Sequence, residues 1–326
     1  FAFAVDTDGD GVDDIQDAFP EDASQQYLQI EDAISEILDP NLRNCVEEQS
    51  DGMETAGEVS RIDCSWRGVA SLEGIEHFSE LEVLLLADPQ VVDVSHIRNL
   101  VDLREINFSW GARSISEISA LTALRQLEHL DLAGQPISDF TPLAGLERLA
   151  WLSVERTRLS DLAQLGEKGQ LTSLNIDGTL VREIADLGFA PILERLSASN
   201  LQLRAIPSLT ELPALIDINL RDNNLTELVL AEGLQLSNLS VADNAELVDI
   251  SGIDADTSID RLDINQTGFS TLDFRSAGPS VRHLVIGGED LVDIGALASI
   301  AGLESLSVDR AYQLEDFSGL SSIEQL

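Results

Sequence analysis

The 326-residue chain has little positive charge, 19 lysine and arginine residues against 59 acids, for a formal net charge of −40. A field of that sign repels phosphate backbones and anionic lipid heads, which makes nucleic acid and membrane surfaces poor partners. Lysine is nearly missing: Lys168 stands alone, and residues 1–60 hold 17 acids against the single base Arg43. A salty exterior and an arginine-favouring, GC-rich genome both account for that bias. Long hydrophobic runs are lacking too. No stretch nears the roughly 18 to 20 apolar residues of a membrane-spanning helix, so no membrane insertion is expected. Only two cysteines occur, and four histidines are scattered along the chain. A nucleophile elbow, a phosphate loop and a transition-metal cluster are all wanting, so the chain reads as a non-enzyme. Neither a methionine nor a signal peptide opens it at Phe1, and it stops at Leu326 four residues into a new strand unit. Both ends read as cut from something longer, with a polar cap or more repeats expected beyond the last strand.

What is abundant is one leucine phrase. Leu81xxLeu84xLeu86, Leu127xxLeu130xLeu132, Leu149xxLeu152xVal154 and Leu303xxLeu306xVal308 are copies of it. First positions fall at Val59, Leu81, Leu103, Leu127, Leu149, Leu171, Leu193, Leu215, Leu236, Ile259, Val281 and Leu303, mostly in steps of 22. A unit of this kind cannot bury its apolar face alone, so neighbours must stack into a continuous core. Length alone predicts about two domains, but the fixed period overrides it. The expected organisation is an acidic linker over 1–24, a cap over 25–58 and a solenoid of about twelve repeats over 59–326, incomplete at its C-terminus.

In the linker, Asp6, Asp8, Asp10, Asp14 and Asp17 fall at loop positions 1, 3, 5, 9 and 12, with Gly11 at position 6 and the Val12 carbonyl at position 7. Hard oxygen ligands at that spacing around a turn-forming glycine describe an EF-hand-type calcium loop, with aspartate in place of the longer closing glutamate. With Phe19-Pro20 behind it, the segment resembles the calcium repeats related to thrombospondin type 3 units. That resemblance implies secretion and a calcium-stiffened spacer.

The cap reads as two helices. One spans 27–38 with apolar residues Leu28, Ile30, Ile34, Ile37 and Leu38; the other starts at Asp39-Pro40, an N-cap with proline at the first helical position, and buries Leu42, Cys45 and Val46. Cys45 on this helix and Cys64 in the first strand unit form the natural pair for a disulfide, pointing to an oxidising compartment; two reduced core cysteines are the alternative.

Within the repeats, each LxxLxL stretch predicts a short parallel strand. Apolar residues then recur every third position, as at Ile115, Ile118, Leu121, Leu124 and Leu127, a spacing that suits 3₁₀ turns. Asn223 and Asn244 hold a turn position where an amide can bond neighbouring backbone, with Thr157, Thr179 and Thr267 there in other copies. With phrases such as Ile137-Ser-Asp-Phe-Thr-Pro-Leu-Ala-Gly-Leu146 and Asp39-Pro-Asn-Leu42, the chain resembles the 22-residue leucine-rich repeats of bacterial internalin-like proteins over residues 25–326. The resemblance implies an α/β solenoid: a leucine-rich repeat horseshoe with a parallel concave sheet, a 3₁₀-rich convex side and a helical N-terminal cap. It also implies recognition of a receptor, another protein or a glycan.

Strand alternation puts the third, fifth and seventh residues of each unit on the concave face and the eighth at its rim. The fifth positions are mostly small and polar, a hydrogen-bonding floor suited to an extended surface. All three tryptophans map to this side: Trp151 at a third position, Trp66 and Trp110 at eighth positions. Exposed indoles are enriched in binding hot spots, although Trp66 and Trp110 could instead fold back over the loop edge. The candidate ligand site is Trp151, Trp110, Trp66, Glu105, His129, Asp131, Glu155 and Arg156. Arg195, Asp217, Arg221, Arg261 and Asp263 read as an internally satisfied surface ladder. The expected molecule is a monomeric recognition or adhesion module of the cell exterior, surface or periplasm, binding a protein or glycan; a passive spacer and the targeting part of a larger enzyme are the alternatives.

Overall fold

The computed structural model describes residues 27–87, 89–111, 114–253, 255–271, 279–315 and 320. The calcium-loop residues Asp6 to Asp17 and the last, incomplete repeat lie outside them. The chain divides into two compact units, residues 1–159 with 163–168, and residues 160–162 with 169–326.

The first unit opens with α1 (Ile30–Glu36) and α2 (Pro40–Gln49). Asp39 is the N-cap of α2: its Oδ1 accepts from the backbone N–H of Asn41 and Leu42 at 2.8 and 2.9 Å, while Oδ2 accepts from Ala70 and Ser71 of the first repeat. One carboxylate therefore caps the helix and ties it to the solenoid. Leu42, Cys45 and Val46 are buried as their spacing predicts, and Cys45 is bonded to Cys64. Leu38 departs from expectation at 58% exposed, because α1 ends at Glu36 and the chain has left the helical face.

Five parallel strands follow: β1 (Arg61–Asp63), β2 (Val83–Leu85), β3 (Glu105–Asn107), β4 (His129–Asp131) and β5 (Trp151–Ser153), each paired in register with the next. The first, fourth and sixth residues of each phrase point inward, so Leu81, Leu84, Leu86, Leu127, Leu130 and Leu132 are all buried. Behind the sheet the chain returns through 3₁₀ turns such as Ser119–Ala123 and Thr141–Leu143. Ile115, Ile118, Leu121, Leu124, Ile137, Phe140 and Leu143 are sealed there, as their three-residue spacing predicts.

The second unit repeats this plan with β6 (Ser173–Asn175), β7 (Arg195–Ser197), β8 (Asp217–Asn219), β9 (Glu227–Val229), β10 (Gln235–Ser240), β11 (Asp249–Ser251), β12 (Ser258–Asp263), β13 (Ser280–Gly287) and β14 (Ser305–Asp309). All but β9 and β11 form its parallel sheet, in chain order. β9 and β11 make a separate two-stranded parallel ladder. The return side is 3₁₀-rich as expected, and this ladder is a local exception to it. Around β9 the apolar spacing shortens from three (Leu225, Leu228) to two (Leu228, Leu230), the period of a strand rather than of a 3₁₀ turn. The ladder needs close backbone approach. A Cβ on Gly252, at φ +87°, would sit 2.2 Å from the Leu230 carbonyl oxygen.

Both units are leucine-rich repeat solenoids. Their inner polar residues serve the backbone. Asn223 Oδ1 accepts from Leu201 and Leu203 N–H while its Nδ2 donates to the Ala198 and Leu220 carbonyls; one repeat on, Asn244 accepts from Leu225 N–H and donates to the Leu220 and Val241 carbonyls. Thr157, Thr179 and Thr267 donate to the carbonyl of their own turn, and Thr157 also accepts from Leu159 N–H. Gln135, which sequence reasoning missed, is fully buried beside the third repeat, which runs 24 residues from Leu103 to Leu127 instead of 22: its Nε2 donates to the Phe108 carbonyl and its Oε1 accepts from the Ile115 N–H.

Candidate functional site on the first sheet

The last three strands of the first unit, β3 to β5, place Glu105, His129 and Trp151 side by side, and Asn107, Asp131 and Ser153 in the next row. Glu105, Asn107, His129, Asp131 and Trp151 line a shallow recess of about 220 Å³ whose base is Ile106 and Leu130. Four of the eight residues picked from the sequence thus meet in one place. Asp131 is partly buried there. Its Oδ1 accepts from Ala133 N–H at 3.0 Å, but loss of water pushes its carboxyl above the usual carboxylate range despite the hydrogen bonds of Ala133, Ser109 and Ser153.

The other four residues lie outside the recess. Trp110 and Arg156 pair at the rim, the guanidinium carbon 5.3 Å from the centre of the indole. That distance is within reach of a cation–π contact. Gly134 makes the meeting possible, since it stands between them in the repeat order and the indole packs beside it. Arg156 also lies 3.6 Å from Glu155. Trp66 is two strands away and 69% exposed, while Trp110 is 44% exposed, with its indole against Gly134 of the next rim turn.

The rim has a backbone feature that sequence reasoning did not name. Eighth-position residues are left-handed, with φ of 63° at Trp66, 61° at Trp110, 53° at Arg156, 55° at Asn200 and Asp222, and 80° at Gly134. The conformation turns the chain off the sheet and aims the N–H at the next repeat, as from Trp66 to Ala87 and from Trp110 to Ala133. Glycine, asparagine and aspartate recur there and carried the signal. A bulky residue in this conformation is strained, so Trp66 and Trp110 stand where a smaller residue would be more stable.

The polar floor is partly spent on structure. Asn107, Asp131, Asn175, Asn219 and Asp263 each accept the N–H two residues ahead, closing the strand with a side-chain turn. Of the expected charge ladder, Arg221 pairs with Asp243 at 2.6 Å and Arg195 lies 3.5 Å from Glu194, while Asp217 accepts from Asn238.

No protein-family model and no curated protein matches the chain. Solved structures do. An internalin of Listeria monocytogenes, InlF, is 22% identical, with 92% of this chain and 96% of that one covered and a TM-score of 0.61. Internalin C2 of the same organism is 25% identical, with 70% and 96% covered and a TM-score of 0.56. With the parallel strands and the capping helices, these likenesses establish an internalin-like leucine-rich repeat fold.

Proposed function

We propose that the chain is a non-enzymatic recognition module of adhesion type, working outside the bacterial cell and binding a protein or glycan on the open face of its first sheet. The recess walled by Trp151 carries this reading: a half-buried indole beside Glu105, His129 and Asp131 on a mostly polar face. The strained, exposed Trp66 and Trp110 support it, since strain persists where it serves a site. So does the likeness in fold to the two internalins. His129 lies on an open sheet rather than in a water-excluding cleft, which suits contact better than catalysis. In this reading Asp6, Asp8, Asp10, Val12, Asp14 and Asp17 hold calcium and stiffen the approach to the cap. The bond between Cys45 and Cys64 fits an oxidising exterior.

The test is retention of surface proteins and arrayed glycans by immobilised wild type and Trp151→Ala. A hot-spot indole contributes about 2 kcal/mol or more, so the variant should bind roughly thirtyfold more weakly. Equal retention by both would remove Trp151 from the site, and no retention by either would favour a passive spacer.

A further inference from the structure

Elsewhere on the two sheets acids and arginines neutralise one another: Arg104 reaches Glu82 and Glu128, Arg221 reaches Asp243, and Arg282 reaches Asp260 and Glu304. Glu105 and Asp131 differ. Among the described residues neither has an ion-pair partner, yet both face the recess that Trp151 walls. Arg156 at the rim is engaged by Trp110 and Glu155. Asp131 therefore holds a carboxylate that burial disfavours, eased by the hydrogen bonds of Ala133, Ser109 and Ser153 but by no ion pair among the described residues.

A ligand must answer that charge. A neutral group stacked on the indole would strip more water from Asp131 and return no countercharge. A divalent cation finds no group of three acidic, histidine or cysteine ligands among the described residues. A cationic side chain satisfies every wall at once: its apolar stem lies on the indole, and its head donates charge-assisted hydrogen bonds to carboxylates. At about 220 Å³, the recess is smaller than the roughly 300 to 1,000 Å³ of small-molecule pockets. One side chain of a larger partner fills it.

Resting on the adhesion reading above, we infer that the recess is the anchor subsite for an arginine or lysine side chain of a protein partner, stacked on Trp151 and held by Asp131 and Glu105. The partner is a protein presenting a basic residue on an extended or convex surface, rather than a neutral glycan.

The experiment follows the Trp151 indole N–H resonance of the calcium-loaded chain during titration with three probes. These are a glycine-rich heptapeptide bearing two arginines, the same peptide with citrulline in their place, and chitohexaose. Dissociation constants near about 1 mM are expected for a single anchored side chain. The arginine peptide should shift the indole resonance and the citrulline peptide should not. Asp131→Asn and Glu105→Gln should each weaken binding about tenfold, the scale of one lost charged hydrogen bond. Glu211→Gln, an equal charge change at an exposed acid in the second unit, should leave it within about twofold. Asp131→Asn removes a charge that burial disfavours, so its melting temperature should not fall and lost binding would not reflect misfolding. Equal weakening by Asp131→Asn and Glu211→Gln would reduce the effect to general attraction and overturn the inference. So would an arginine peptide that leaves the indole unmoved. If chitohexaose alone shifts it, the adhesion reading stands and the cationic anchor falls.

Discussion

Lys168, the chain's single lysine, is fully buried, its ammonium among the carbonyls of Leu143, Ala144, Leu165 and Glu167. Burial pushes its pKa down to about 8, against the opposing pull of Glu147 and Glu167. An unfolded lysine titrates near about 10.4. Between the two values the unfolded chain holds a proton that the folded chain has released, so the stability contributed at this site rises with pH across that window. Relative to Lys168→Met, wild type should gain roughly 2 kcal/mol in denaturant unfolding between pH 8 and 10. A constant difference would mean that the four carbonyls hold the proton throughout. The sequence made Lys168 conspicuous but not its place, since two of its carbonyl partners, Leu143 and Ala144, come from a turn 25 and 24 residues earlier. The roles of Asn223 and Asn244 were legible, because an amide recurring at one repeat position can serve few purposes other than bonding backbone.

At the scale of elements, the cap is joined to the first repeat by Asp39, which takes N–H groups from both, and by the Cys45–Cys64 bond across a separation of 19 residues. A crosslink closing a loop of that size stabilises by about 3 kcal/mol. In a solenoid each repeat leans mainly on its neighbours, so the loss should stay local. Reduction, or Cys45→Ala with Cys64→Ala, should speed hydrogen exchange in α2 and β1 while leaving β4 and β5 protected. Uniform loss of protection would show instead that the first unit unfolds as one block. The helices and strands were readable because their periods, 3.6 and 2, are written in adjacent residues. The ladder of β9 and β11 escaped, because the difference between a 3₁₀ return and a strand return rests on one shortened apolar interval and on Gly252 admitting a neighbouring backbone.

For the whole molecule, self-repulsion outweighs the ion pairs. Those among the described residues, such as Arg67–Glu48 and Arg282–Glu304, are exposed and contribute little. A net charge of −40 opposes compaction. Raising sodium chloride from about 10 mM to about 150 mM shortens the screening length from roughly 30 Å to 8 Å. Screening should relieve more repulsion than attraction, and the melting temperature should rise by a few degrees. A fall would mean that the surface ion pairs outweigh the repulsion.

By itself the sequence determined the solenoid, which residues point into it, and which tryptophans stand on its open face, because strand alternation and repeat period are local properties. It also placed Trp151, Glu105, His129 and Asp131 near one another, since a fixed register brings equal repeat positions into line. Tertiary structure decided what those residues became. Glu105 and Asp131 keep their charge free of arginine because Arg104 turns to Glu82 and Glu128, and Arg156 turns to Trp110 and Glu155. Pairing of that kind depends on side-chain reach between strands, a distance that no one-dimensional pattern contains.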